Sequence, residues 1–146
     1  MSFDPIELVE RHIKLVKNYE KKLTEKSKKK AMEDPHSKRK PRYCGLTVHF
    51  AVGGCPYRCS YCYIYDMGFG PSASPYPLEP EELVYAILKN RNFISGRYGT
   101  LIAVGSVTEP FLFEEKALRF LEELVKLENP IQFSTKKYIG LSLIHI

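Results

Sequence analysis

Apolar residues recur at spacings of three and four from Ile6 through Val9, Ile13 and Val16, and Tyr19 and Leu23 continue the stripe. That period predicts an amphipathic helix ending near residue 23. Asp4 stands ahead of it as a cap, Pro5 suits its first turn, and Glu7 can reach back to the cap. The pattern then dissolves. Lys26 to Arg42 is dominated by Lys, Arg, Ser and Pro with almost nothing apolar to bury, which predicts a flexible basic linker. From Leu46 to Val52 a β-rich apolar run, ended by Gly53-Gly54, predicts a strand. A polar loop rich in Gly and Pro follows from about Asp66 to Pro77. Pro80-Glu81-Glu82 starts a helix whose apolar face is Leu83, Val84, Ala86 and Ile87, with Phe93 beyond it. Thr100 to Val104 reads as a short strand, Glu114 to Leu127 as a helix with Leu118, Leu121, Leu124 and Val125 inward, and Ile131 to Ser134 as the start of a third strand.

The order is therefore β, α, β, α, β after a helical leader, with no internal repeat. Such alternation implies parallel strands joined by helical crossovers, as in an α/β barrel or an open doubly wound sheet. The organisation expected is a leader over residues 1–43, a core over 44–140, and a tail over 141–146. That tail, Leu141-Ser142-Leu143-Ile144-His145-Ile146, can be encoded by CTG TCT CTT ATA CAC ATC, the end of a transposase adapter used in DNA library preparation. It is read as a sequence scar, and the natural chain is expected to continue beyond about Gly140.

At 146 residues, with 44% hydrophobic and 27% charged, the composition is that of an ordinary globular chain. No stretch approaches the ~20 apolar residues needed to span a bilayer. Met1-Ser2-Phe3-Asp4-Pro5 lacks the basic-then-apolar order of a signal peptide, so a cytoplasmic protein is expected and no membrane partner. The formal charge of +5 is uneven: residues 1–43 hold thirteen Lys/Arg against seven Asp/Glu, and residues 44–146 hold nine against ten. The basic character belongs to the leader. Nucleic acid is one partner such a run suits, but a Lys-rich segment without interleaved aromatics equally reads as a solubilising one.

The chemistry concentrates in three of the four cysteines, Cys55, Cys59 and Cys62, which lie within eight residues directly after the first strand. In a reducing compartment such a group binds metal more readily than it forms disulfides. Three is the informative number, because a cubane cluster has four irons and three cysteines leave one iron open. The segment Cys55-Pro56-Tyr57-Arg58-Cys59-Ser60-Tyr61-Cys62 resembles the signature of the radical S-adenosylmethionine (SAM) enzymes, CxxxCxΦC with an aromatic residue before the third cysteine. Gly105-Ser106-Val107-Thr108-Glu109-Pro110, followed by a helix and Phe133-Ser134-Thr135-Lys136, is similar to the branch that includes spore photoproduct lyase. The resemblance covers roughly residues 43 to 138.

It implies the first half of a partial (β/α)6 barrel of the TIM type, with a [4Fe-4S] cluster held at the carboxyl ends of the strands by Cys55, Cys59 and Cys62. In that family the open iron is chelated by the amino and carboxylate groups of SAM. An electron from the cluster then cleaves a carbon–sulfur bond and releases a 5′-deoxyadenosyl radical that takes hydrogen from a substrate. An electron donor such as ferredoxin or flavodoxin is implied as partner. By the same resemblance Tyr61 contacts adenine, Gly105, Ser106 and Glu109 belong to the SAM-binding turn with Glu109 at the ammonium, and Lys136 meets the SAM carboxylate. In the family that turn is Gly-Gly-Glu; here two extra residues separate the glycine from Glu109.

Plainer readings stand beside these. Structural zinc would take four ligands, with Cys44 or His49 completing the set. Cys44 is otherwise expected as a small buried residue and His49 as a satisfied core histidine, while His12 and His36 fall on the surface by pattern. Tyr61 and Tyr63 could be packing, Glu109 a turn carboxylate near a helix N-terminus, and Lys136-Lys137 a solvated loop. The functions left open are a radical SAM enzyme, a DNA-directed radical lyase assisted by the leader, and a zinc-binding interaction module.

Overall fold

The computed structural model describes residues 4–138, so the tail at 141–146 lies outside the described residues. Helix α1 spans Pro5–Lys22, with Asp4 accepting from the Ile6 N–H at 2.9 Å. Its packed face is the expected one only in its second half. Ile6, Val9 and Ile13 stay 69%, 54% and 47% exposed, while Tyr19 is buried and Leu15, Val16 and Leu23 pack against the core. A helix of this sequence has two overlapping stripes at the same period. The one that docks carries polar groups with partners: the His12 ring bonds Ser95 Oγ and the Leu88 carbonyl, each at 3.0 Å, and Tyr19 Oη donates to Glu123 at 2.7 Å. His12 is therefore half-buried and bonded, not a surface residue.

The expected linker is also structured. Helix α2 spans Glu25–Glu33, capped by Thr24, and packs on the next helix of the core. Lys, Glu, Ala and Met are all good helix formers. Only Ala31 is fully buried, with Met32 packed beside it, so few apolar residues suffice to dock α2. Lys30 adds bonds to Glu82 at 3.0 Å and to the Pro77 carbonyl at 2.9 Å. A single 3-10 turn, Pro35–Ser37, follows. Within it His36 is fully buried, against the expectation of a surface histidine. Its Nε2 accepts the His49 N–H at 3.2 Å, which leaves the ring proton on Nδ1 to donate to Asp34 at 2.7 Å. Tyr76 Oη donates to the other Asp34 oxygen at 2.7 Å, and Asn90 Nδ2 donates to the carbonyls of His36 and Arg39. Burial is tolerated because each polar group is paired.

The apolar run at 46–52 forms two strands rather than one. β1, Leu46–Val48, enters the main sheet, while β2, Ala51–Gly53, pairs antiparallel with β3, Ala73–Pro75, which lies in the segment expected as loop. Between β1 and β2, Phe50 turns inward and stacks on Phe120 with ring centres 5.2 Å apart. Pro75 is tolerated because β3 is a short edge strand.

Helix α3, Pro80–Leu88, opens with a reciprocal cap between Glu79 and Glu82 and is buried almost throughout. β4, Ile102–Val104, α4, Glu114–Val125, and β5, Ile131–Phe133, complete the core. β4 lies between β1 and β5, and both pairings are parallel, with Leu46 opposite Ile102 and Ile102 opposite Ile131. The α/β class and the parallel strands are as the sequence predicts. The three strands form no closed barrel. Leu46, Val48, Ile102 and Val104 point into the helical layer and are buried, whereas Thr47, Ala103 and Gln132, level with one another, lie on the more open face. No helix among the described residues is long and apolar enough to cross a membrane.

Candidate metal centre

The cysteine loop leaves β2 through Gly53 and Gly54. Gly54 is buried, and a Cβ placed on it would meet the Gly70 carbonyl oxygen at 1.4 Å. That closeness lets the backbone close the loop: Gly54 N–H donates to Ser72 O at 2.6 Å and Cys55 N–H to Gly70 O at 3.1 Å. Inside the loop Arg58 adopts φ 47°, and the Cys62 N–H bonds back to the Cys59 carbonyl at 3.0 Å. Tyr65 fastens the centre, its hydroxyl donating to the Cys55 carbonyl and accepting from the Arg58 N–H. Ile64, 1% exposed, anchors the far side.

Cys55, Cys59 and Cys62 are all half-buried with free thiols. Cys59 and Cys62 line one cleft of about 590 Å³ together with Arg58, Tyr65 and Phe69; Cys55 is not among its lining residues. Among the described residues no three His, Cys, Asp or Glu side chains stand close enough to hold one metal ion. In kind and number the donors fit a cubane iron–sulfur cluster, three thiols on one short loop. Closing them on such a cluster requires Cys55 to join the cleft that Cys59 and Cys62 share.

The two neighbouring strand ends meet this loop. Gly105, at φ +73°, receives β4 and bonds to the Val48 carbonyl at 2.9 Å. Tyr63 Oη donates to the Ser106 carbonyl at 3.2 Å, and Thr108 Oγ1 to the Gly54 carbonyl at 2.8 Å. Glu109 is 6% exposed. Its Oε2 accepts the Lys136 N–H at 2.8 Å, and its Oε1 accepts from the Thr135 hydroxyl and the Phe111 N–H. The carboxylate therefore ties the end of β4 to the end of β5. Lys136 Nζ sits 4.8 Å from the centre of the Tyr61 ring. The Tyr61 hydroxyl, then the charges of Tyr61, Cys59 and Glu109, favour its ammonium form.

Tyr61, Ser106, Glu109 and Lys136 are thus brought to one end of the sheet, beside the cysteines. Tyr65, Thr108 and Thr135 belong to the same set and were not singled out by sequence. Their signal was faint, a hydroxyl one to three residues from a motif position. Cys44 is exposed, not buried as expected, and lines a small cavity with Thr47, Gly105 and Ser134 rather than the cleft of Cys59 and Cys62. His49 packs on Tyr76 and His36, with ring centres 6.5 and 5.8 Å away.

The bonding of Glu109 carries a first prediction. In Glu109→Gln one carboxylate oxygen becomes an amide that faces chain donors, so stability should fall by about 2 kcal/mol. Urea unfolding measures this; a loss below about 0.5 kcal/mol would show that the three contacts contribute little. Comparison of the chain with family models, curated proteins and solved structures finds no match.

Proposed function

We propose that this chain carries the cluster-binding part of a radical SAM enzyme and that its three parallel strands are the first strands of a (β/α)6 barrel. One observation carries the reading. The Cys55-x3-Cys59-x2-Cys62 loop stands at the carboxyl end of a parallel sheet, bonded directly to the turn that bears Ser106 and Glu109. The layering is in keeping with a barrel, since α3 and α4 pack together over one face of the sheet and the other face, with Thr47, Ala103 and Gln132, is left as a lumen would be.

When bound, a [4Fe-4S] cluster supplies the electron that opens a carbon–sulfur bond of SAM. The residues of the chain do the rest. Cys55, Cys59 and Cys62 would hold three irons of such a cluster and leave the fourth open to SAM. The Glu109 Oε2 accepts one chain donor, and a carboxylate oxygen has the lone pairs to accept a second, which suits the SAM ammonium. Lys136 offers an exposed ammonium to the carboxylate, and Tyr61 a ring to the adenine.

Reconstitution under anaerobic conditions tests this. The protein should take up about four irons with matching sulfide and turn brown, and Ala at any of the three cysteines should abolish the colour. A colourless protein that binds zinc, or three single variants that all keep full iron, would overturn it. Cys44→Ala should load normally.

A further inference from the structure

On the open side of the sheet, segment 39–42 of the leader runs beside β1 and encloses a cavity of about 420 Å³ lined by Arg39, Lys40, Arg42, Thr47, His49 and Ser106. With Pro41 the lining residues are seven, of which three are cations and none is acidic, and none of the three has a carboxylate partner among the described residues. Arg39 is held in place, half-buried, by donation from one Nη to the Thr47 carbonyl at 2.7 Å, and its other donors remain for a ligand. Lys40 and Arg42 are exposed at the rim. The acid nearest in sequence, Asp34, is already engaged by His36 and Tyr76. No acidic side chain lines the cavity, so its walls carry a positive charge, and Thr47 and Ser106 add hydroxyls suited to a tetrahedral oxyanion.

We infer that this cavity binds the phosphate of a small phosphorylated ligand. Its size is that of a small-molecule site, and its three cations sit around one concavity instead of along a track that a nucleic-acid backbone would follow. Ser106 places it next to the turn of Glu109, so a ligand seated by its phosphate would lie beside the candidate metal centre. The inference does not rest on the cluster, because every residue in it belongs to the chain without metal.

The test uses the full chain free of iron, titrated with inorganic pyrophosphate by calorimetry and by amide NMR. Saturable binding with shifts at Thr47, His49 and Ser106 is expected. The double variant Lys40→Gln/Arg42→Gln should weaken it about ten-fold or more, since two charge-assisted contacts are lost. Lys14→Gln/Lys17→Gln on α1 should not change it. Among the described residues the exposed Arg42 is bonded through its backbone to Gly45 and through no side-chain hydrogen bond, so Arg42→Glu gives a second variant that should keep the fold and bind still more weakly. Undiminished binding in these variants, no saturable binding of pyrophosphate, or binding of a duplex oligonucleotide alone would each overturn the proposal. Loss of iron in the cysteine variants leaves this measurement untouched, so the two readings fail separately.

Discussion

Gly54→Ala should cost the protein about 3 kcal/mol or more and open the neck of the cysteine loop. A methyl group there would lie 1.4 Å from the Gly70 oxygen and 2.3 Å from its carbon, so backbone has to move. Three hydrogen bonds are at stake: Gly54 N–H to Ser72, Cys55 N–H to Gly70, and Thr108 Oγ1 to the Gly54 carbonyl. The first two hold the loop shut, and the third ties it to the turn after β4. Gly70→Ala is the control. It sits across the same neck, yet nothing lies within 4 Å of its added Cβ, so its cost should stay below about 0.5 kcal/mol. Urea unfolding compares the two, and amide exchange at Cys55 reports the local opening. Equal stability of the two variants would mean that the neck adapts freely and that Gly54 has no special role.

Elements with a long, clean period were legible from the chain alone. α3, α4, β4 and β5 appear close to where apolar spacing put them, because their burial is decided by their own side chains. Within the leader α1 was legible, with its Asp4 cap and its end near residue 23, but the segment after it was not, and the reason is specific. What docks α2 and the 3-10 turn is Ala31 and Met32 together with His36 and Ser37, residues whose burial depends on partners far along the chain, such as Asn90, Tyr76 and the His49 N–H. A sequence window cannot see those partners, so a Lys-rich segment reads as open linker. The split of β1 from β2 was hidden for a different reason: an unbroken apolar run has no period to mark where the chain changes sheets. At the candidate site the cysteine spacing was explicit. The hydroxyls that stitch the loops together, those of Tyr65, Thr108 and Thr135, are visible only once the strand ends are adjacent.

The buried histidine pair makes stability depend on acid. Burial lowers the His36 ring from the usual histidine value; Asp34, hydrogen-bonded to it, pulls the other way and does not prevail. Burial, and then the Arg39 guanidinium and the His36 ring, lower His49 to about 4. Both rings are therefore neutral in the folded protein at pH values where the unfolded chain, with its histidines near 6.5, has taken up protons. Between those limits the unfolded state binds more protons, so stability rises with pH. The contribution is fully present above about pH 6.5 and is lost as pH falls toward about 4, with His49 worth about 3 kcal/mol at most and His36 adding in the same direction. Protonating His36 would also destroy its Nε2 acceptor and with it the bond from the His49 N–H that joins the leader to β1. Asp34, whose carboxyl is held below its ordinary value by His36 and Tyr76 despite its burial, adds a further loss only at lower pH. Urea unfolding at pH 7.5, 6.0 and 4.5 should show a fall of a few kcal/mol across that range. His49→Phe keeps a ring against Tyr76 and removes one titration, so its profile should be flatter by the share His49 carries. If the unsubstituted protein is as stable at pH 4.5 as at 7.5, the two rings titrate alike in the folded and unfolded chain, and the buried seat of the leader on β1 is wrong.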